Sequence, residues 1–458
     1  MESIVILALL GVFLMMSGLY SISRKSAHWI TIGGVFAAFL ANAYNWEYKH
    51  AVFNNMLIID NYGVAFGGTI LATTLGLLLV STYFFDKIEN YVTEHYALLV
   101  FAIVGMLCMV TFDNLSMLFI GIEIMSVCLY ILAGSKKKDV SSNEAALKYF
   151  LMGSFTTGIL LMGIALVYGA TGSFYLSEIL RSMAAHTEPS PLLLAGMLFL
   201  LVGMGFKVSA APFHFWTPDV YQGSPSFVTA FMSTVVKIAG FAAFFRLFYI
   251  CFTPVEHYWL NIVWVMIVLT ISIGSITAVR QTSVKRLLAF SSIAHAGYML
   301  ITVLTGAESA DLLFYSVAYA TASVVAFGVL MVVESETGSD EISAFAGLVK
   351  RNKSLAFLFT IAMASMAGLP LTAGFFAKVF VLKSALLEGY NYLVIIAIVN
   401  AIIGIYYYFK VIIAMYFKDN ETNNAEITVS GLYTVSLFVG AALIIILGLY
   451  PDLLYQLV

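Results

Sequence analysis

The chain of 458 residues is 61% apolar and only 10% charged, with a mean hydropathy of +0.97. Soluble domains run nearer half apolar and a quarter charged, so this composition excludes an ordinary globular enzyme and a disordered chain and leaves an integral membrane protein. Its 22 Lys and Arg against 25 Asp and Glu give a formal net charge of -3, too balanced for a nucleic-acid partner or a polybasic membrane-surface role.

Crossing the hydrocarbon layer takes a helix of about 20 apolar residues, whereas a barrel would show alternating segments of about 10. The runs here are continuous, so the reading is an all-α polytopic membrane protein with about fourteen spans. They start near Glu2, His28, Asp60, His95, Asn114, Asn143, Pro191, Ser226, Tyr258, Lys285, Asp311, Lys353, Asn391 and Thr428. The first carries Glu2 in place of a basic n-region, and Ser21 to Ser26 offer no small-residue cleavage site. That predicts a retained helix, not a signal peptide.

Lys and Arg are depleted from translocated loops. The odd-numbered loops hold Arg24, Lys25, Lys87, Lys136, Lys137, Lys138, Arg280, Lys285, Arg286, Lys350, Arg351, Lys353 and Lys418, and the even-numbered loops only Lys49 and Arg181. This bias puts the odd loops in the cytoplasm and both termini on the outer face. Cys108, Cys128 and Cys251 lie in apolar stretches with no CxxC or Cys/His spacing. They read as small core residues, with no metal site and no disulfide framework.

Seven basic residues fall inside predicted spans: Lys148, Lys207, Lys237, Arg246, Lys378, Lys383 and Lys410. A charge at the bilayer centre costs on the order of 2.5 to 3.5 kcal/mol, so such residues face a bundle interior and often mark an ion path. Lys148, Arg246, Lys383 and Lys410 lie within a few turns of a span end or a tyrosine cluster, where snorkelling or a structural pair competes with a functional role. Lys207, Lys237 and Lys378, with Glu123, sit too deep to snorkel. A carboxylate and three amines on different helices suit proton transfer, because an approaching carboxylate favours the ammonium form of a buried amine and a departing one releases its proton. Glu123 and Lys207 are expected to form such a pair and to titrate as a unit. Ser209, Thr234 and Ser292, with trapped water, are candidate bridges between the lysines.

Two spans are interrupted by proline among small residues, at Pro212 and at Pro370. Proline in a helix interior frees a carbonyl, tolerated in lipid only where protein or water satisfies it. The breaks recur at corresponding places in two five-span blocks, and paired broken helices point to repeats around a transport site. Because five is odd, the repeats are inverted. The expected organisation is three leading helices (1–90), a first repeat (91–251), a second (258–418) and a closing helix (428–458), with faint residue identity between the repeats.

His214, beside the first break, and His295, in the tenth span, can relay protons through their two ring nitrogens or stand as hydrogen-bonded core residues. Lysine as the main path residue argues against sodium, since an ammonium supplies no oxygen ligand.

Together, Glu123, Lys207 before Pro212, Lys237, His295 and Lys378 after Gly368-Leu369-Pro370 resemble the antiporter-like subunits of respiratory complex I and the related multisubunit cation/proton antiporters, over essentially the whole chain. Lys378 stands where one member type carries a glutamate, and no long lateral helix follows the fourteenth span. The resemblance implies a modulating pair of Glu123 and Lys207, a central relay of Lys237 and His295, and an exit-side Lys378. Lys148 matches a family lysine of less defined role. It further implies a proton-translocating module in a bacterial inner membrane, with other membrane subunits as partners. NADH, quinone, flavin and iron–sulfur clusters would then belong to those other subunits, with no cofactor in this chain. A subunit of a sodium/proton antiporter or membrane-bound hydrogenase, and a purely structural anchor, are the alternatives.

Overall fold

The computed structural model describes residues 1–20, 22–85, 91–185, 188–306, 308–419 and 426–455; Lys87 and Val458 lie outside the described residues. The spans are α1 (Glu2–Ser17), α2 (Arg24–Tyr44), α3 (Asn61–Leu79), α4 (Val92–Thr111), α5 (Leu115–Ala133), α6 (Val140–Thr171), α7a (Pro191–Lys207) with α7b (Trp216–Gly223), and α8a (Ser226–Ser233) with α8b (Val235–Phe245). They continue as α9 (Glu256–Val279), α10 (Val284–Thr305), α11 (Ser309–Thr337), α12a (Lys353–Ala367) with α12b (Ala373–Leu387), α13 (Asn391–Phe417) and α14 (Gly431–Leu449). Every expected start is met within four residues, the largest offset being His28 against Arg24. Side chains at the membrane ends set these starts: Asp60, Asn114, Asp139, Ser190, Ser283, Asn352 and Ser430 each accept from a free backbone N–H of the first turn.

The packing order repeats. α4 lies against α5 and α6 against α7a, and the same order recurs as α9 with α10 and α11 with α12a. Both α4–α5 and α9–α10 need glycine at the crossing: a Cβ on Gly105 would meet the Gly121 carbonyl at 2.5 Å, and one on Gly274 the Ala294 nitrogen at 2.5 Å. The ends of α6 and α11 also match. Thr171-Gly172-Ser173 and Thr337-Gly338-Ser339 each place the glycine in the left-handed region, at φ 75° and 69°. In each, the serine N–H donates to the threonine hydroxyl. The chain then bridges to the N-cap of α5 through Asn114 and Tyr175, or of α10 through Ser283 and Glu341. The two blocks thus share packing order and helix-end geometry.

Helices α8 and α10 occupy the centre. Their span windows are wholly buried in protein, against 28% for α1 and 33% for α2. Lys237 and His295 thus stand on the two helices shielded from lipid all round. The eighth span carries a third break that sequence reasoning missed: Thr234 leaves helical geometry at φ -110°, ψ -79°, and its hydroxyl donates to the Ala230 carbonyl at 2.6 Å. No proline marks it.

Candidate functional site

Lys207 closes α7a where the Pro212 break begins, and its Nζ donates to Ser126 Oγ on α5 at 2.8 Å. The Ser126 hydroxyl in turn donates to the Ile122 carbonyl at 2.6 Å. Glu123, one turn earlier on α5, is half-buried, and its Oε1 is buried with no hydrogen-bond partner. The expected contact of Glu123 with Lys207 is therefore not made: among the described residues no carboxylate lies within ion-pair distance of Lys207. Glu123 and Ser126 share one face of α5, three residues apart, so a small shift of the lysine exchanges one for the other. A hydrogen bond to a charged group is worth about 1.5–3 kcal/mol. Ser126→Ala should therefore destabilise the protein by about 1.5–3 kcal/mol, with Ser126→Thr largely restoring it; an unchanged thermal midpoint in Ser126→Ala would show that this contact does not hold Lys207 in place.

Lys237, at 1% exposure, follows the Thr234 break by one turn, and its Nζ donates to both the carbonyl and the hydroxyl of Ser292 on α10. His295 is three residues along α10. Its Nδ1 lies 2.8 Å from the Tyr315 hydroxyl and its Nε2 3.1 Å from that of Tyr408, which also bonds Ser291. Lys378, on the first turns of α12b, reaches back across the second break and donates to the carbonyls of Met366 at 3.0 Å and Ala367 at 2.9 Å. Those carbonyls end α12a, so the amine sits where the helix dipole favours a cation. Gly368 makes room for it: its φ is +82°, and a Cβ there would come within 3.1 Å of the Lys378 Nζ.

Contacts link these residues in order. The α5 serine receives Lys207, α7a packs on α8b, α8b on α10, and α10 on α12b. Lys207, Lys237 and Lys378 are each 9% exposed or less. All three are held by hydroxyl or carbonyl oxygens, with no carboxylate within ion-pair distance among the described residues. Oxygen-held amines are poor structural ion pairs and suitable stations for a moving proton.

The other candidates divide. His214 lies in the first break, 5% exposed, with Nδ1 buried and unpartnered. Pro212 and Pro370 themselves are exposed. Lys148 stands near a span end, where the sequence put it: it is 41% exposed and pairs with Glu144 at 2.7 Å and Asp219 at 2.9 Å. Asp219 also takes Arg286 at 3.1 Å. Lys148, Glu144 and Asp219 border a polar cleft of about 570 Å³ with Lys136, Lys285 and Glu334. Lys285, read as a loop charge, is 3% exposed in the first turn of α10 and donates to the Ser224 carbonyl. Arg246 and Lys410 are structural: Arg246 binds both Asp60 oxygens, and Lys410 donates to the Gln281 carbonyl at 2.9 Å just past the end of α9.

A bundle of this form, with broken helices and a lateral string of buried amines, is an antiporter-like membrane subunit. The family model described as NADH:quinone oxidoreductase/Mrp antiporter, TM matches residues 113–404. The chain is 41% identical to NADH-quinone oxidoreductase subunit N of Cytophaga hutchinsonii, over 100% of this chain and 99% of the relative. It is 40% identical to the protein of the same name from Flavobacterium psychrophilum, over 100% of both. A chain of respiratory complex I from Thermus thermophilus with bound aureothin superposes with a TM-score of 0.85 at 32% identity, covering 99% of this chain and 98% of that one. The likeness to the Mrp complex from Dietzia sp. DQ12-45-1b, TM-score 0.88 at 18% identity over 99% of this chain and 95% of that one, shows the shared fold. The chain belongs to the subunit N family of NADH-quinone oxidoreductase.

Proposed function

We propose that this chain is the antiporter-like, proton-translocating membrane subunit of a bacterial NADH-quinone oxidoreductase, and that Glu123, Lys207, Lys237, His295 and Lys378 carry the proton. The observation that carries the site assignment is the set of three buried lysines on α7a, α8b and α12b, joined through α10 and each held by hydroxyl or carbonyl oxygens. A structural anchor would close its buried charges into pairs, and Glu123 Oε1 stands open. In this reading NADH oxidation, quinone reduction and the redox groups belong to other subunits. This chain contributes the membrane path, in the inner membrane with both termini on the outer side.

The polar cleft bordered by Lys148, Asp219 and Glu334 then opens to the cytoplasm and serves proton uptake, with His214 at the first break beside the route. Residues 91–251 and 258–418 form the two inverted repeats, and the matching Thr-Gly-Ser ends of α6 and α11 support that division. The test is to tag the chain, extract native membranes in mild detergent and assay the purified assembly for NADH oxidation by quinone. A large assembly with that activity is expected. A small all-membrane assembly with sodium-dependent transport and no NADH oxidation would overturn the reading in favour of a cation/proton antiporter.

A further inference from the structure

The proton stations fall into two groups with no direct hydrogen bond between them among the described residues. One comprises Lys237 with Ser292 and, a turn away, His295 with Tyr315, Tyr408 and Ser291. The other is Lys378 with the carbonyls that end α12a. Between them lies a cavity of about 10 Å³ walled by His295, Tyr315, Tyr319, Ser365, Met366 and Ala377. Two of its walls belong to the second group: Met366 accepts from Lys378, and Ala377 precedes it in the chain. A cavity that size has room for one water, and a bound water needs two to four polar partners. The hydroxyls of Tyr315, Tyr319 and Ser365 supply them, since both ring nitrogens of His295 are already taken by Tyr315 and Tyr408.

Tyr319 joins this cavity to the first group. Its ring packs on His295 with centroids 4.8 Å apart, and its hydroxyl lies beside those of Ser292, Ser323 and Ser233. Ser292 is the group that Lys237 holds. On the far wall, Ser365 Oγ accepts from the Gly374 N–H at 3.1 Å, which fixes the serine at the second break. The wall is tight there, because a Cβ on Gly374 would run into the Ser365 carbonyl.

We propose that Tyr319 and one water in this cavity complete the proton route between Lys237 and Lys378. The proposal rests on the proton-path reading above and adds to it a residue and a place. Each hop breaks one O–H or N–H bond and forms another on the next group, so no group is consumed and no co-reactant is needed. Tyr319 hands its hydroxyl proton to the water while taking one from the Ser292 side. The water passes a proton to the neutral amine of Lys378, formed once that lysine has released its own proton onward.

The test uses the whole complex in native membrane vesicles, with proton pumping measured per NADH oxidised by quinone. Tyr319→Phe keeps the ring and removes only the hydroxyl. Ala322→Val fills the cavity from a wall that carries no polar group. Both should lower pumping about tenfold or more, the scale of a lost proton-transfer group, with normal amounts of assembled complex. Replacing H2O by D2O should deepen the defect, which a packing fault would not do. Ala322→Ser, whose hydroxyl can replace the water, should pump close to the parent level.

Lys378→Met is run in parallel. If it stops pumping while Tyr319→Phe and Ala322→Val pump normally, the water route is wrong and the lysine path stands. If Lys378→Met itself pumps normally, the underlying reading fails. Should Tyr319→Phe not assemble, normal pumping by Ala322→Val overturns the proposal and its loss with rescue by Ala322→Ser supports it.

Discussion

Lys207→Met and Lys378→Met should each abolish most proton pumping while the complex still assembles. Methionine keeps the unbranched length of lysine and removes the amine, so packing is conserved and only the proton station is lost. The expected loss is at least tenfold, toward the ~10²-fold that removing a positioned proton-transfer group costs. The two variants differ in what they leave behind. Lys207→Met frees Ser126 Oγ, which already donates to the Ile122 carbonyl and so keeps one bond. Lys378→Met strips the Met366 and Ala367 carbonyls of their donor at the end of α12a, so it should also lower thermal stability. Pumping per NADH oxidised in vesicles, with assembled complex measured alongside, checks both. Normal pumping in either variant would take that lysine out of the path.

The largest stability effect belongs to Arg246, whose charge the sequence could assign equally to a path or to packing. Its Nη2 lies 2.7 and 2.8 Å from the two Asp60 oxygens, and the guanidinium sits 4.9 Å from the Tyr62 ring centre. Asp60 also caps α3 by accepting from the Gly63 N–H at 2.8 Å. The pair therefore pins the π-helical turn Arg246–Cys251 to the start of α3 and so ties the leading helices to the central span. Removing one partner of a buried pair costs about 3–5 kcal/mol, less here because Asp60 keeps 26% exposure. Arg246→Ala should lower the thermal midpoint of the purified complex and its yield, while pumping per assembled complex stays near normal. A variant of normal stability that fails to pump would move Arg246 from the scaffold to the path.

The buried lysines proposed for the path were legible in the sequence because a charge inside a long apolar run is conspicuous whatever the neighbours are. Their partners were not. Glu123 and Ser126 differ by three residues on one helix face, and only the relative depth and rotation of α5 and α7a select the serine for Lys207. Lys285 shows the converse error: counted as a loop charge, it is covered by the helices around the cleft, because a span end in a bundle can be buried by protein as well as by lipid. Tyr315, Tyr319 and Tyr408 carried no signal among 26 tyrosines. Aromatic residues are common in membrane helices, and nothing local sets apart those that reach a histidine.

What the sequence by itself determined is the number and approximate ends of the spans, the charges that fall inside them and the places of the two proline breaks. Each is a property of one segment crossing a layer of fixed thickness, so summing hydropathy and charge along the chain is enough. The tertiary structure alone decided which oxygen holds each lysine, where the Thr234 break falls, that α8 and α10 are enclosed on all sides, and that a water-sized cavity separates Tyr319 from Ser365. Those depend on how helices far apart in the chain rotate and cross, and the hydrophobic pattern of a helix buried all round is too uniform to fix its rotation.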